Sequence, residues 1–218
     1  MKQKKPANDI LSRIQEAKDH KDWTEITDIL DEATENELNT LRDMNVLESV
    51  IHEFIEHHDW ILRASTVEFI GEFGLKTFLT LVKARLHDSN SVVRSYALMA
   101  YYELTGAKAL PVIEEICNSK NIANRVTALA LHYIEKNNDD SFKKLSKILK
   151  RKRCNMNHLY STLYIFDYYL DVQQHREIIK FFEDALKNIP KSLCIAKDIN
   201  SMLKKWKKNK KKPMHSSR

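Results

Sequence analysis

Three segments of this chain align without a gap at a fixed offset of 31 residues: residues 49–74, 80–105 and 111–136. Arg63, Arg94 and Arg125 fall in register, as do Val50/Leu81/Val112, Ile51/Val82/Ile113, Ile55/Leu86/Cys117 and Val67/Leu98/Leu129. A column of small residues, Thr66/Ala97/Ala128, follows the same step. A fixed period of this length means one supersecondary unit that cannot bury its apolar face alone and must stack on its neighbours. Within each copy the apolar spacing is helical. Residues 47, 50, 51, 54 and 55 mark one helix face, a polar turn follows, and a second helix begins near the Arg. The turns are His57-His58-Asp59, His87-Asp88-Ser89-Asn90 and Asn118-Ser119-Lys120-Asn121. Their Asp, Ser and Asn side chains can accept the free N–H groups of the helix that follows. Gly74 and Gly106 stand where two of the second helices should end in a left-handed residue.

Only three Gly and four Pro occur in 218 residues, too few for the turns of a sandwich, a barrel or a nucleotide-binding α/β fold. The expected class is therefore all-α. The run VKARLHDSNSVVRSYALMAYYELTG (82–106) resembles a HEAT repeat, in particular the short bacterial HEAT-like repeat of phycobilisome-lyase-type proteins. The resemblance covers 47–136, with copies at 47–74, 78–106 and 109–136. It implies an α-solenoid of about five helix pairs, one domain spanning 8–203. It says little about activity, because such repeats serve many functions. Further helices are expected at 10–18, 23–33, 139–150, 158–171, 173–188 and 192–206. Residues 1–7 form a basic tail and 204–218 a Lys-rich, frayed one.

Charge is unevenly spread. Residues 6–140 carry 13 Lys/Arg and 24 Asp/Glu, whereas 141–200 carry 12 and 6. Cys117, Cys154 and Cys194 are odd in number, widely spaced and without zinc-type spacing, which fits a reducing compartment. No apolar stretch is long enough for a signal peptide core or a membrane span. A cytoplasmic protein with no membrane role is expected, with no cofactor and no metal site. No Gly-rich phosphate loop, GxSxG or HExxH is present, so no catalytic residue is assigned and an enzyme is not expected. In His57-His58-Asp59 neighbouring side chains diverge, so the cluster reads as a solvated turn. Trp60 reads as an anchor between repeats.

Two surfaces are candidates. The non-core positions of the first helices are His52, Glu53 and Glu56, then Thr80, Lys83 and His87, then Glu114, Glu115 and Asn118. Stacked copies would align them into one acidic trough suited to a basic protein partner. A non-enzymatic binding module follows, concretely an immunity-type inhibitor that occludes a basic toxin such as a nuclease. The alternative surface is Lys147, Lys150, Arg151, Lys152 and Arg153 with Tyr160 and Tyr164, where basic charge beside aromatic rings suits nucleic acid. Tyr164 with Tyr168, and Leu159 with Leu163, also have the i,i+4 spacing of core residues. Some alkylpurine DNA glycosylases share the HEAT-like architecture, and Asp59-Trp60 is the pair that such an enzyme would use. A scaffold or adaptor is the remaining reading. The partner's identity and the oligomeric state are not encoded in these patterns.

Overall fold

The computed structural model describes residues 10–150, 156–170, 175–189 and 193–208. Among these the chain is all-helical, with thirteen α-helices and no strand. The helices are α1 (Ile10–Asp19), α2 (Trp23–Asp31), α3 (Glu35–Asp43), α4 (Leu47–Ile55), α5 (Trp60–Glu72), α6 (Leu79–Arg85) and α7 (Ser91–Thr105). They continue as α8 (Leu110–Ile116), α9 (Ile122–Lys136), α10 (Asp139–Leu149), α11 (Met156–Tyr169), α12 (Arg176–Lys187) and α13 (Cys194–Lys208). No helix is long and apolar enough to cross a membrane. Two compact units divide the chain, one ending at Ala109 and the other beginning at Leu110.

The repeat columns become structure in a literal way. Ile51, Val82 and Ile113 are fully buried, as are Thr66, Ala97 and Ala128, and Val67, Leu98 and Leu129 are nearly so. The three turns end in residues 31 apart, Asp59, Asn90 and Asn121, and each is the N-cap of the second helix of its copy. Their side-chain oxygens accept the N–H of Ile61 at 2.8 Å, Val92 at 2.8 Å and Asn124 at 3.1 Å. Each bond satisfies one of the four N–H groups that a helix start leaves unpaired. Gly74 and Gly106 take φ of +60° and +57°, the region expected where these helices end.

In the first unit α5 is the enclosed helix. It packs on α2, α4, α6 and α7, and even its polar Arg63, Ser65 and Thr66 are buried. Its contact with α7 is the closest of these: a Cβ added to Gly71 would sit 2.9 Å from both Cα and Cβ of Ala100. In the second unit the same part belongs to α9, which packs on α8, α10 and α11 and buries Val126, Ala128, Leu129, Ala130, Leu131 and Tyr133. Helices that are apolar or small on all sides end up surrounded by other helices. Two other pairings, α11 with α13 and α12 with α13, complete the second unit around Phe166, Phe182, Ile199 and Trp206.

Three features differ from the sequence expectation. Residues 35–43 form a helix, α3, although only Leu38 and Leu41 are buried in it. A capping box starts it: Thr34 Oγ1 accepts the Glu37 N–H and the Glu37 carboxylate accepts the Thr34 N–H. Helix α13 continues to Lys208, into the segment read as a tail, because Leu203 and Trp206 keep its apolar stripe buried. Trp60 is no anchor. As the first residue of α5 it is 40% exposed.

Candidate functional site

The first-helix strip starts from α4 and α6, which lie in the first unit. His52, Glu53, Glu56, Thr80, Lys83 and His87 are all exposed. Arg85 joins the two copies, its Nη2 2.8 Å from Glu56 Oε1 and its Nη1 donating to the Ile55 carbonyl at 3.3 Å. The His52 ring meets Phe78, just before α6, at 6.3 Å. These contacts tie the exposed strip of α4 to that of α6. Its charge is largely answered from within: Lys18 Nζ sits 2.7 Å from Glu53, and Arg85 holds Glu56. Glu114 and Glu115 are exposed on α8, in the second unit, and Asn118 is exposed in the turn after it. There the Glu114 carboxylate lies 3.6 Å from His132 Nε2.

The unanswered negative charge lies elsewhere in the first unit. Residues 10–109 hold 10 Lys/Arg and 18 Asp/Glu, a balance of −8. On α2 and the adjoining α5, burial pushes the Asp31 carboxyl pKa up, the Ser65 hydroxyl opposes this, and Asp28 and Glu32 add to the rise. Glu72 is pushed up by burial and by Asp31 itself. Carboxylates gathered in this way form a surface that favours an incoming cation. Sequence inspection missed this pair because its members stand on different helices, outside the 31-residue columns.

The turn before α5 is an aromatic stack. His57 packs on Trp23 at 4.3 Å and on His58 at 4.2 Å, and its Nδ1 accepts the Asp59 N–H at 3.1 Å. Burial and the neighbouring His58 lower the His57 pKa. The Asp59 carboxylate is engaged as the α5 cap. Among the described residues, no group of three His, Cys, Asp or Glu is placed to hold a metal ion.

Of the basic and aromatic candidates, Arg151, Lys152 and Arg153 lie outside the described residues. Lys147 and Lys150 are exposed, the latter with its ammonium 5.7 Å from the Phe181 ring centre. Tyr160 and Tyr164 are 44% and 37% exposed on α11, while Leu159, Leu163 and Phe166 face the core. Tyr164 stacks on Tyr168 at 6.1 Å with 21° between the rings. Of the two i,i+4 pairs with core spacing, Leu159 and Leu163 are buried, whereas Tyr164 is exposed and Tyr168 half-buried.

Two polar networks in the second unit were not foreseen. The buried Tyr133 O–H donates to Glu177 Oε1 at 2.5 Å, so its oxygen accepts from His175 Nδ1 at 2.7 Å. Burial and the Glu177 carboxylate push the Tyr133 pKa well up. Glu177 is held low by the Tyr133 and His175 bonds although burial opposes them. Ile134, Asn137, Asp139, Phe142, Lys143 and Leu170 complete an open cleft of about 670 Å³ around His175 and Glu177. Beside a second cleft, His132 Nδ1 meets the buried Ser141 Oγ at 2.8 Å and ties α9 to α10. Cys117 lines the same cleft, and burial pushes its thiol up to about 11, so it stays protonated at neutral pH. A sequence signal for the Tyr133 network was out of reach, because its members are 42 and 44 residues apart. Against known proteins, no family model, no curated protein and no solved structure matches this chain.

Proposed function

We propose that this chain is a HEAT-like helical-repeat module that acts without catalysis, by covering a basic protein with its first unit. The observation that carries the reading is the surplus of carboxylates in the first unit, a balance of −6 over residues 1–109, with Asp31 and Glu72 on adjoining helices. The exposed strip of His52, Glu53, Glu56, Thr80, Lys83 and His87 supplies the contact surface, and its internal ion pairs can exchange for intermolecular ones at little net cost. The concrete form is an immunity-type inhibitor of a cytoplasmic toxin, for example a nuclease whose basic active-site rim is occluded. Negative potential would speed capture about 10- to 1000-fold over a neutral surface.

The test is affinity capture from the native host, then titration of the recovered protein against wild type and two charge-reversed chains, D31K/E72K and E53K/E56K. A basic partner is expected, with affinity that falls as salt rises and at least a tenfold loss in D31K/E72K. Recovery of no basic protein, or undiminished binding by both variants, would sink the reading.

A further inference from the structure

We propose that the outer side of α11, together with the last turn of α13, binds single-stranded nucleic acid. The inference concerns the second unit and does not depend on the reading of the first. Residues 110–218 carry 23 Lys/Arg and 11 Asp/Glu, a balance of +12. Charge of that size attracts any polyanion. What selects the kind of polyanion is the aromatic surface within it. Tyr160 and Tyr164 are exposed one helical turn apart, and the Tyr168 ring continues the row by stacking on Tyr164. Large aromatic rings turned to water are uncommon in a helix whose leucines already fill the core.

One carboxylate ties the lysine-bearing last turn of α13 to α11. Asp167, next to Tyr168 in the chain, accepts the Lys205 ammonium on Oδ2 at 2.7 Å and the Trp206 indole N–H on Oδ1 at 2.7 Å. The last turn of α13 is thereby fixed alongside the C-terminal half of α11. Lys207 is drawn to Glu183 at 2.6 Å, and Lys204 and Lys208 are exposed on the same turn. Trp206 is buried and holds the helix, so the stacking platform is tyrosine.

Unstacked bases can lie on such rings whatever their sequence, and backbone phosphates can meet the lysines. Bases within a duplex are already stacked and cannot reach the tyrosines. A lipid surface would use the lysines but gain little from ring-on-ring stacking. The expected ligand is thus a single strand, bound with weak sequence preference.

The experiment is fluorescence anisotropy on the full chain with labelled oligo-uridine and with a duplex of the same length, at about 50 and about 200 mM salt. Phosphatidylserine vesicles serve as the third ligand. The single strand should bind more tightly than the duplex. Y160A/Y164A should weaken it about tenfold or more, as loss of base–aromatic stacking requires. Y160F/Y164F should bind like wild type, which separates stacking from folding, and the single Y160A serves if the double variant unfolds. K204Q/K208Q should flatten the slope of log K against log salt by about 1.4, the share of two phosphate contacts on a single strand. Equal affinity for duplex and single strand, indifference to removal of the rings, or tighter binding to vesicles than to oligo-uridine would each overturn the proposal.

Discussion

At the Arg63–Asp88 pair two charges leave water, and the geometry explains why this is tolerated. Arg63 Nε and Nη2 reach the two Asp88 oxygens at 2.9 and 2.8 Å, a two-pronged contact with almost no solvent access to Asp88. The third nitrogen, Nη1, donates to the carbonyls of His57 and His58 at 2.7 and 2.9 Å. Arg94 repeats that second role one copy later, on the carbonyls of Asp88 and Ser89 at 2.6 and 2.9 Å. In the first two copies the repeated Arg is thus a clamp on the preceding turn, and Asp88 adds a link between copies that His57 and Ser119, in the same column, cannot form. Burial alone would raise the Asp88 pKa. Its bonds to Arg63 and the Asn90 N–H, with Arg85 nearby, hold it below the usual carboxylate range instead. Arg63→Ala should therefore cost about 3–5 kcal/mol, since it strands a buried carboxylate. Asp88→Asn tests the charge. A depressed carboxylate contributes stability that is whole above its unfolded pKa, about 3.9, and is lost as pH falls through the folded value. The urea midpoints of wild type and D88N should stay a constant distance apart from neutral pH down to about 4 and converge below it. A gap that persists unchanged into that acid range would remove the ion pair from the account.

Between elements, the crossing of α5 on α7 sets the tightest constraint, because the chain approaches so closely at Gly71 and Ala100 that no Cβ fits. Gly71→Ala should destabilise by about 1–3 kcal/mol through overpacking. Gly74→Ala is the contrast: its surroundings are open, so only the φ of +60° opposes a side chain, at about 1–2 kcal/mol. Adding Ala100→Gly should recover part of the loss in G71A in thermal melts, since the residue-100 Cα stays 2.9 Å from the new methyl, and should leave G74A unaffected, whereas independent effects in the first pair would exclude the crossing as the cause. This scale is where the sequence was most legible. The buried columns, the caps Asp59, Asn90 and Asn121 and the left-handed glycines follow from local rules repeated at one period. Helix α3 was readable too, but from its Thr34–Glu37 capping box and not from apolar spacing, since two leucines make a thin stripe. Trp60 was misjudged because a large apolar residue at the start of a helix need not point inward, and it is Trp23 that packs on His57. The candidate sites were less legible. The outward face of α4 and α6 could be read from periodicity, yet Lys18 on α1 and the Asp31–Glu72 juxtaposition depend on how separate helices pack.

For the molecule as a whole, the boundary near residue 109 separates charge as well as contacts: residues 1–109 balance to −6 and residues 110–218 to +12. Burial of the Asp31 and Glu72 carboxyls, with Asp31 acting on Glu72, costs stability on a unit already negative. The cost has a sign that can be measured. Both groups have folded-state pKa values raised above their ordinary ones, so the folded state holds their protons more tightly than the unfolded chain does. Stability is therefore lost as pH rises from the ordinary carboxylate range through the raised values, and the penalty is complete at neutral pH. Replacing the charges should lift it. The D31N/E72Q chain should show a higher urea midpoint than wild type at pH 7, and the advantage should vanish as pH falls below about 4, where both chains carry the protonated or amide form. The same variant should bind the captured basic partner less tightly at pH 7. A gain in stability with unchanged binding would assign the carboxylates no part in recognition. A loss of stability at pH 7 would mean that an attractive interaction, such as the Ser65 hydrogen bond to Asp31, outweighs the repulsion, and the argument from opposed charges would fall with it.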